Sequence, residues 1–492
     1  MNEFILAIDV GAGSLRAGLV RADGRVAASA AIGLAIAEPQ TGWAEIDPEL
    51  WWKALLAAAG RVLPKLPRAS AVVAVCICGL TRSQVLLDRQ GRALGPAILF
   101  RDRRAMEEAR ALALELPSGN PADAISAFHP IARLAWLAHH RPALYAKLDA
   151  VLDPKDFLNL RLTGVRAGDT VTHSRGSPSP VARGASAVIE RCLELLRADL
   201  RAPWQSVGEV QPTDVPLDRL ANVPVFAGSM DTWGSAVGSG AVSPGQAYDV
   251  AGTSEAVGLV TERRRAVPGL VALAWTESAH QVGGPTQAGA DCAQWCHATF
   301  RIQGAVDDAI ERVGRAPARA NRPIFLPYLA GERTPVWRGD VRGAFHALDR
   351  SHGPDDLLWS VLEGVAMAGR DILDHAVAGT GQRVAELRAS GGGARSDAWC
   401  QIKADILGVP VLRSTEEETG IIGAAIAAAV GVGLYRNVGE AATAMVAIGR
   451  RFRPRKQVAS LFEARAATYR QIKQAALDLA DVAAETGTGV AK

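Results

Sequence analysis

Apolar runs of strand length, broken by glycine-rich turns and alternating with segments of helical period, organise the chain from its first residues. Residues 4–10 are apolar apart from Asp9 and run into Gly11-Ala12-Gly13-Ser14; residues 17–20 lead to the turn Asp23-Gly24, and residues 26–31 follow. The pattern predicts strand, turn, strand, turn, strand. An amphipathic helix is expected around residues 48–63 and a buried strand over 71–77, the alternation of an α/β domain. Further on, an apolar run through Val225 and Phe226 enters Gly228-Ser229-Met230-Asp231 before a small-residue helix at 232–238. A strand at 384–387 reaches Gly391-Gly392-Gly393 ahead of a helix through Trp399 to Leu407. The Ala- and Gly-rich stretch 420–435 is shorter than the roughly 20 residues that span a bilayer and reads as a buried helix.

A shift of 240 positions lays residues 9–20 on 249–260, with Asp, Val, Ser, Gly, Leu and Val coinciding. An offset near half the length is what two related halves predict. The 492 residues also exceed what one core usually organises. Turn chemistry at Gly238-Ser239-Gly240 and Ser243-Pro244-Gly245 puts the division at 1–242 and 243–492. Residues 171–184, with Pro178, Pro180 and several serines, read as a surface loop of the first half.

Charge narrows the function class. The formal +3 is scattered over helical segments instead of forming the clustered stripe that nucleic acid requires, so neither nucleic acid nor membrane is expected as a partner. Acidic residues at positions 3 and 9 fit no secretory leader, and six cysteines without metal-ligand spacing read as free buried thiols of a cytoplasmic protein. His139-His140 reads as a helix end.

Phosphoryl transfer needs backbone amides around phosphate oxygens, a carboxylate on the metal side and a base at the acceptor hydroxyl. Gly11 and Gly13 allow a tight turn against an anion, Asp9 at the strand end suits a hydrated metal, and Arg16 can reach a phosphate. An ordinary hairpin with a turn-capping Asp is the competing reading. Gly252-Thr253-Ser254 shares that ambiguity and adds two hydroxyls. The Gly391-Gly392-Gly393 turn leaves amides free for a ring or a phosphate but lacks G-x-G-x-x-G, which disfavours a dinucleotide-binding dehydrogenase. Asp231 is the candidate base; as a residue at a helix start it could equally serve as an N-cap.

Together these motifs resemble the FGGY carbohydrate kinases, and most closely their xylulokinase-like branch. The residues that carry the resemblance are 9–16, Asp153-Pro154-Lys155-Asp156-Phe157-Leu158, the Gly228-x-x-Asp231 turn, Gly252-Thr253-Ser254, residues 325–335 with Gly331-Glu332-Arg333-Thr334-Pro335, and 390–408. The resemblance implies an α/β fold of two ribonuclease-H-like (actin-like ATPase) domains with an interdomain cleft, ATP held mainly by the second and sugar mainly by the first, with Mg²⁺ as cofactor. It implies Asp231 as the base, Asp9 near the metal, and Gly11, Gly13, Ser14, Arg16, Gly252, Thr253 and Ser254 near the phosphates. Gly393 and Asp397 would border adenine, with Gly289 and Gln294 flanking the nucleotide.

Departures bear on the acceptor. Gly79-Leu80-Thr81-Arg82-Ser83 stands where xylulokinases carry Gly-Gln-Met-His-Gly, so Arg82 replaces a sugar-facing His with a fixed fork of donors. Thr232 replaces a longer amide beside the base, Ala347 stands for a Gly, and Arg133 stands for a Lys in the first family signature; the last two are expected to leave the chemistry untouched. The expected reaction is phosphorylation of a ketopentose such as D-xylulose. Gluconate, erythritol, L-ribulose and autoinducer-type polyols stay open as acceptors, and an actin-like ATPase or an idle sugar-binding relative is the alternative class. A homodimer is one assembly open to it.

Overall fold

The computed structural model describes residues 2–68, 70–174, 186–212 and 214–486. Two compact units divide it: Met1–Gly240 with Leu273–Glu277 and Glu418–Ala447, and Ala241–Ala272 with Ser278–Glu417 and Ile448–Lys492. Thus residues 418–447, late in the sequence, pack with the first unit. Most of the loop expected at 171–184 lies outside the described residues; its start belongs to a short helix, Thr170–His173.

The first unit is built on a sheet of six strands in the order Ser206–Glu209, Pro224–Phe226, Ser70–Gly79, Asn2–Val10, Ser14–Arg21, Val26–Gly33. Asn2–Val10 pairs parallel with Ser70–Gly79 and antiparallel with Ser14–Arg21. A strand with neighbours on both edges and helices on its faces is buried, here from Phe4 to Val10, which explains a run that is apolar apart from Asp9. Val26–Gly33, at the edge, instead alternates exposed positions with half-buried ones, Ala28 alone being buried. The helix Pro48–Val62 begins where Asp47 accepts a hydrogen bond from the Glu49 amide (3.0 Å) and proline takes the first position. Its Trp51, Trp52, Leu55, Ala58 and Val62 are buried in the same apolar cluster as Leu6, Ile8, Leu15 and Leu19.

The second unit repeats the plan. Its sheet runs Ile448–Phe452, Val411–Ser414, Glu386–Ser390, Gln246–Ala251, Glu255–Thr261, His280–Pro285, with Val271–Ala274 added at the edge as a seventh strand. Parallel and antiparallel pairings match those of the first sheet strand for strand. The two hairpins are not identical, however. Asp9 pairs with Arg16 and Asp249 with Val257, so an offset of 240 on the first strand becomes 241 on the second. The coincidences on both strands therefore cannot be superposed at once. The 27-residue helix Pro354–Thr380 buries Leu358, Trp359, Val361, Leu362 and Val365 in a core shared with Trp399 and Tyr469.

In the first unit, helices Asp231–Gly238 and Thr419–Gly431 meet backbone to backbone. A Cβ on Gly238 would overlap Thr419 O, and one on Gly423 would overlap Gly234 O. Among the described residues, no helix is long and apolar enough to cross a membrane.

Gly423→Ala is expected to force these helices apart, costing about 1–3 kcal/mol as an overpacked contact does. The Tm in thermal unfolding should fall by several degrees. Gly13→Ala, where an added Cβ meets nothing within 4 Å, should leave it unchanged.

Candidate active site

The first turn closes with the Gly11 amide donating to Ser14 O (2.9 Å), and Gly13 stands exposed at its tip. Asp9 ends the preceding strand and is buried; Arg16, opposite it in the hairpin, stands 3.6 Å from its carboxylate and 3.2 Å from Glu418. The start of the helix Thr419–Gly431 lies directly against Asp9, since a Cβ on Gly420 would come within 2.6 Å of Oδ2. Burial, then the negative charge of Asp231, pushes the Asp9 carboxyl up to about 7, against the pull of Arg16. Its Oδ1 is buried without a hydrogen-bond partner among the described residues, and a carboxylate with a spare acceptor and an unbalanced negative neighbour fits a hydrated magnesium ion.

Asp231 is the first residue of its helix, following Met230 at the cap position. Its carboxylate nevertheless caps, accepting from the Thr232 amide at 2.7 Å. The turn before it is tightly specified. Gly228 is left-handed (φ 61) where a Cβ would overlap Ile77 O, and the Gly79 amide donates to Ser229 O. The motif Asp153-Pro154-Lys155-Asp156 supports this turn from beneath. Buried Lys155 contacts Asp156 (2.5 Å), Asp169 (2.9 Å) and Ala227 O (3.4 Å), and Asp169 accepts from Ser229 Oγ at 2.8 Å. Burial works against the Lys155 ammonium, but Asp156 and Asp169 outweigh it and hold its pKa above the ordinary lysine value. Burial likewise raises the Asp231 carboxyl above its usual range.

Thr81 and Arg82 follow the strand Ser70–Gly79, both half-buried, and Arg82 has a left-handed backbone (φ 56). Among the described residues its guanidinium makes no hydrogen bond or ion pair; burial pulls its pKa down, with the charges of Asp153 and Asp123 opposing. Five donors in a half-buried position are therefore unspent.

In the second unit the Gly252 amide donates to Ser254 O (3.0 Å), so this turn too is self-closed, one residue shorter than the first. Asp249, the counterpart of Asp9, is bound to the buried Lys403 ammonium, which also holds Glu255 at 2.7 Å. Gly289 packs on the turn: a Cβ there would press on Thr253 O and Ser254 Cα. The amides of Ala290 and Asp291 donate to Gly252 O and Thr253 O, both at 3.2 Å. Gly289 thus positions the turn, while Gln294 is exposed on the same helix, Ala290–Thr299. Gly393 is buried against Ala251, its Cβ position 2.8 Å from the alanine's. Asp397 begins the helix Asp397–Leu407 and accepts from Arg413 (2.9 Å) and from Arg450, so its charge is taken up within the protein.

Sequence reasoning missed the braces. Glu332 is buried and accepts from Thr286 Oγ1 (3.1 Å) and from the amides of Gln287 (2.6 Å) and Arg333 (2.7 Å); Arg333 donates to Thr286 O (2.6 Å) and Ser254 Oγ (3.3 Å). The Gly331-Glu332-Arg333 motif, recognised only as a resemblance, supports the second turn. Lys403 and Glu418 carried no signal of their own, because their partners Asp249, Glu255 and Arg16 are far away in the sequence; Lys155 lay in a quoted motif, but its contact with Asp169 was not legible.

The N-terminal domain profile of the FGGY family of carbohydrate kinases matches residues 4–185, and the C-terminal domain profile matches 247–432. A xylulose kinase of Escherichia coli (strain K12) is 32% identical over 412 residues, 82% of this chain and 84% of that protein. An L-xylulose/3-keto-L-gulonate kinase of the same organism is 29% identical over 468 residues, 90% of this chain and 91% of that protein. Among solved structures, a xylulose kinase from Rhodospirillum rubrum superposes with a TM-score of 0.85 at 25% identity, covering 97% of this chain and 100% of that one.

Burial pushes the Glu332 carboxyl up to about 7, against the pull of its hydrogen bonds. A folded-state pKa above the unfolded 4.5 means that the folded chain binds more protons between those values, so stability falls as pH rises from about 4.5 to 7. In Glu332→Gln the part of that slope due to Glu332 should be absent, while the parts due to other raised carboxyls such as Asp9 remain. Comparing Tm at pH 5 and pH 8 should therefore show a smaller decline in the variant than in the parent, the difference being on the order of 3 kcal/mol at most.

Proposed function

Because the chain belongs to the FGGY family of carbohydrate kinases, we propose that it transfers the γ-phosphoryl of Mg·ATP to a hydroxyl of a small sugar or polyol, a ketopentose such as D-xylulose. The observation that carries this reading is Asp231: a half-buried carboxylate at a helix start, with a raised pKa and a single backbone tether. Raising a carboxyl toward the working pH makes it a better proton acceptor. Asp231 takes the proton of the acceptor hydroxyl; that oxygen bonds to the γ-phosphorus as the bond to the β,γ-bridging oxygen breaks, and ADP leaves with the electron pair.

Each remaining group has one task. Arg82 offers its unspent donors to acceptor hydroxyls beside Thr81. The charges of Asp153 and Asp123 offset that of Arg82, which favours a neutral polyol over an aldonate. Gly11, Gly13, Ser14 and Arg16 in one turn, and Gly252, Thr253 and Ser254 in the other, approach phosphate oxygens through amides, hydroxyls and the guanidinium. Gly393, packed on Ala251, shapes the turn that would border adenine, Gln294 is exposed on the helix after the Gly252 turn to flank the nucleotide, and Asp397 and Gly289 hold their turns in shape. Magnesium on the Asp9 side supplies charge neutralisation for the phosphates.

Asp231→Ala should lower kcat by about 10²–10⁴-fold while ATP binding, read by calorimetry, is retained; an unchanged rate would remove Asp231 from the reaction. A panel of C4 to C6 ketoses, polyols and aldonates, including D-xylulose, L-ribulose, erythritol and gluconate, should show turnover of neutral acceptors first. ATP hydrolysis at full rate with no acceptor present would instead identify an ATPase.

A further inference from the structure

Arg133 is wholly buried in the helix Pro130–His140, yet its guanidinium hydrogen-bonds to no carboxylate. It donates to four backbone carbonyls: Leu99 O at 2.6 Å and Ile98 O at 3.4 Å through Nη1, and Phe128 O at 3.0 Å and Arg82 O through Nη2. One planar fork thereby ties the turn after the strand Ser70–Gly79 to two other stretches of chain. A lysine could not do this, having three donors on a single nitrogen.

Arg82 is the residue on which this matters. A non-glycine residue with φ 56 holds that conformation only where its surroundings impose it. The Arg82 side chain contributes nothing to the constraint, since it makes no hydrogen bond or ion pair among the described residues. The donor at its carbonyl is Arg133. Burying a guanidinium carries a desolvation cost, and bonding both Nη atoms to carbonyls of three separate segments offsets it, with Nε alone left without a partner among the described residues.

We propose that Arg133 is a positioning residue of the acceptor pocket, locking the left-handed backbone of Arg82 so that the Arg82 guanidinium is presented to acceptor hydroxyls. This rests on the reading of Arg82 as acceptor-facing. It also revises the expectation that the Arg-for-Lys exchange leaves the chemistry untouched, because Arg133 acts on the acceptor through Arg82.

A double-mutant cycle in the full chain tests it, with steady-state kinetics on D-xylulose, or on whichever panel acceptor is turned over fastest. Asn tolerates a left-handed backbone and carries no charge, so Arg82→Asn removes the guanidinium with little strain. Arg133→Lys should raise the acceptor KM about tenfold and leave the ATP KM within about twofold. In the Arg82→Asn background the same exchange should change the acceptor KM by less than about twofold. Arg133→Met should exceed Arg133→Lys in the same direction; if it does not fold, the lysine variant alone completes the cycle. Equal effects of Arg133→Lys in both backgrounds, or a parallel rise in the ATP KM, would reduce Arg133 to a structural residue and overturn the proposal. An Arg82→Asn variant with an unaltered acceptor KM would overturn the acceptor reading of Arg82, and the role of Arg133 with it.

Discussion

The approach of helix Asp231–Gly238 to helix Thr419–Gly431, with no side chain between Gly234 and Gly423 or between Gly238 and Thr419, is the constraint on which the first unit's chemistry depends. Because the helices touch through their backbones, the start of the second is carried down to the end of the first strand. Gly420 then lies on the Asp9 carboxylate and Glu418 within reach of Arg16. The same contact fixes the axis of the helix that begins with Asp231. Two carboxylates from distant parts of the chain become electrostatic neighbours, and neither could be moved by a methyl group's width without the glycines giving way.

Within each unit the charged residues divide into those held for folding and those left available. Lys155 and Lys403 are buried between paired carboxylates, and Arg465 is matched with Glu363. Breaking such a pair leaves an uncompensated buried charge, which is why these residues support geometry and offer nothing to a ligand. Asp231, Arg82 and Asp9 differ: each keeps unsatisfied capacity, in a raised carboxyl, an unengaged fork or an orphaned oxygen. The distinction separates candidate chemistry from its scaffold more sharply than burial alone, since members of both groups are largely out of water.

Much of the fold was legible in the sequence because period and turn chemistry are local. The first three strands, the Pro48–Val62 helix, the Gly228 turn and the 391–393 turn lie within a few residues of their expected limits. The family motifs were also legible, though not their physical roles. The packing of Gly289 on the Gly252 turn and the pairing of Asp397 with two arginines were not legible, whatever either residue does beside a nucleotide. What was hidden depends on long-range backbone approach. Glycines at 234, 238 and 423 look like weak helix formers until the helix that each meets is known. Residues 418–447 gave no local sign of joining the first unit, and the one-residue difference between the hairpins appears only when strand partners are paired.

The Lys403 ammonium beside Asp249 has a consequence for how the two halves have diverged. A repeated strand-end aspartate offers each half the same opportunity, and the second half has spent it internally. Its counter-ion is covalently part of the chain, present at every salt and metal concentration, whereas the first half's carboxylate has only a partly solvated arginine in loose contact. One hairpin thus has its strand-end charge matched within the fold, and the other keeps a carboxylate oxygen with no hydrogen-bond partner among the described residues. A change at position 403 would leave two buried carboxylates without their counter-ion, a cost in stability that a change at position 9 does not carry.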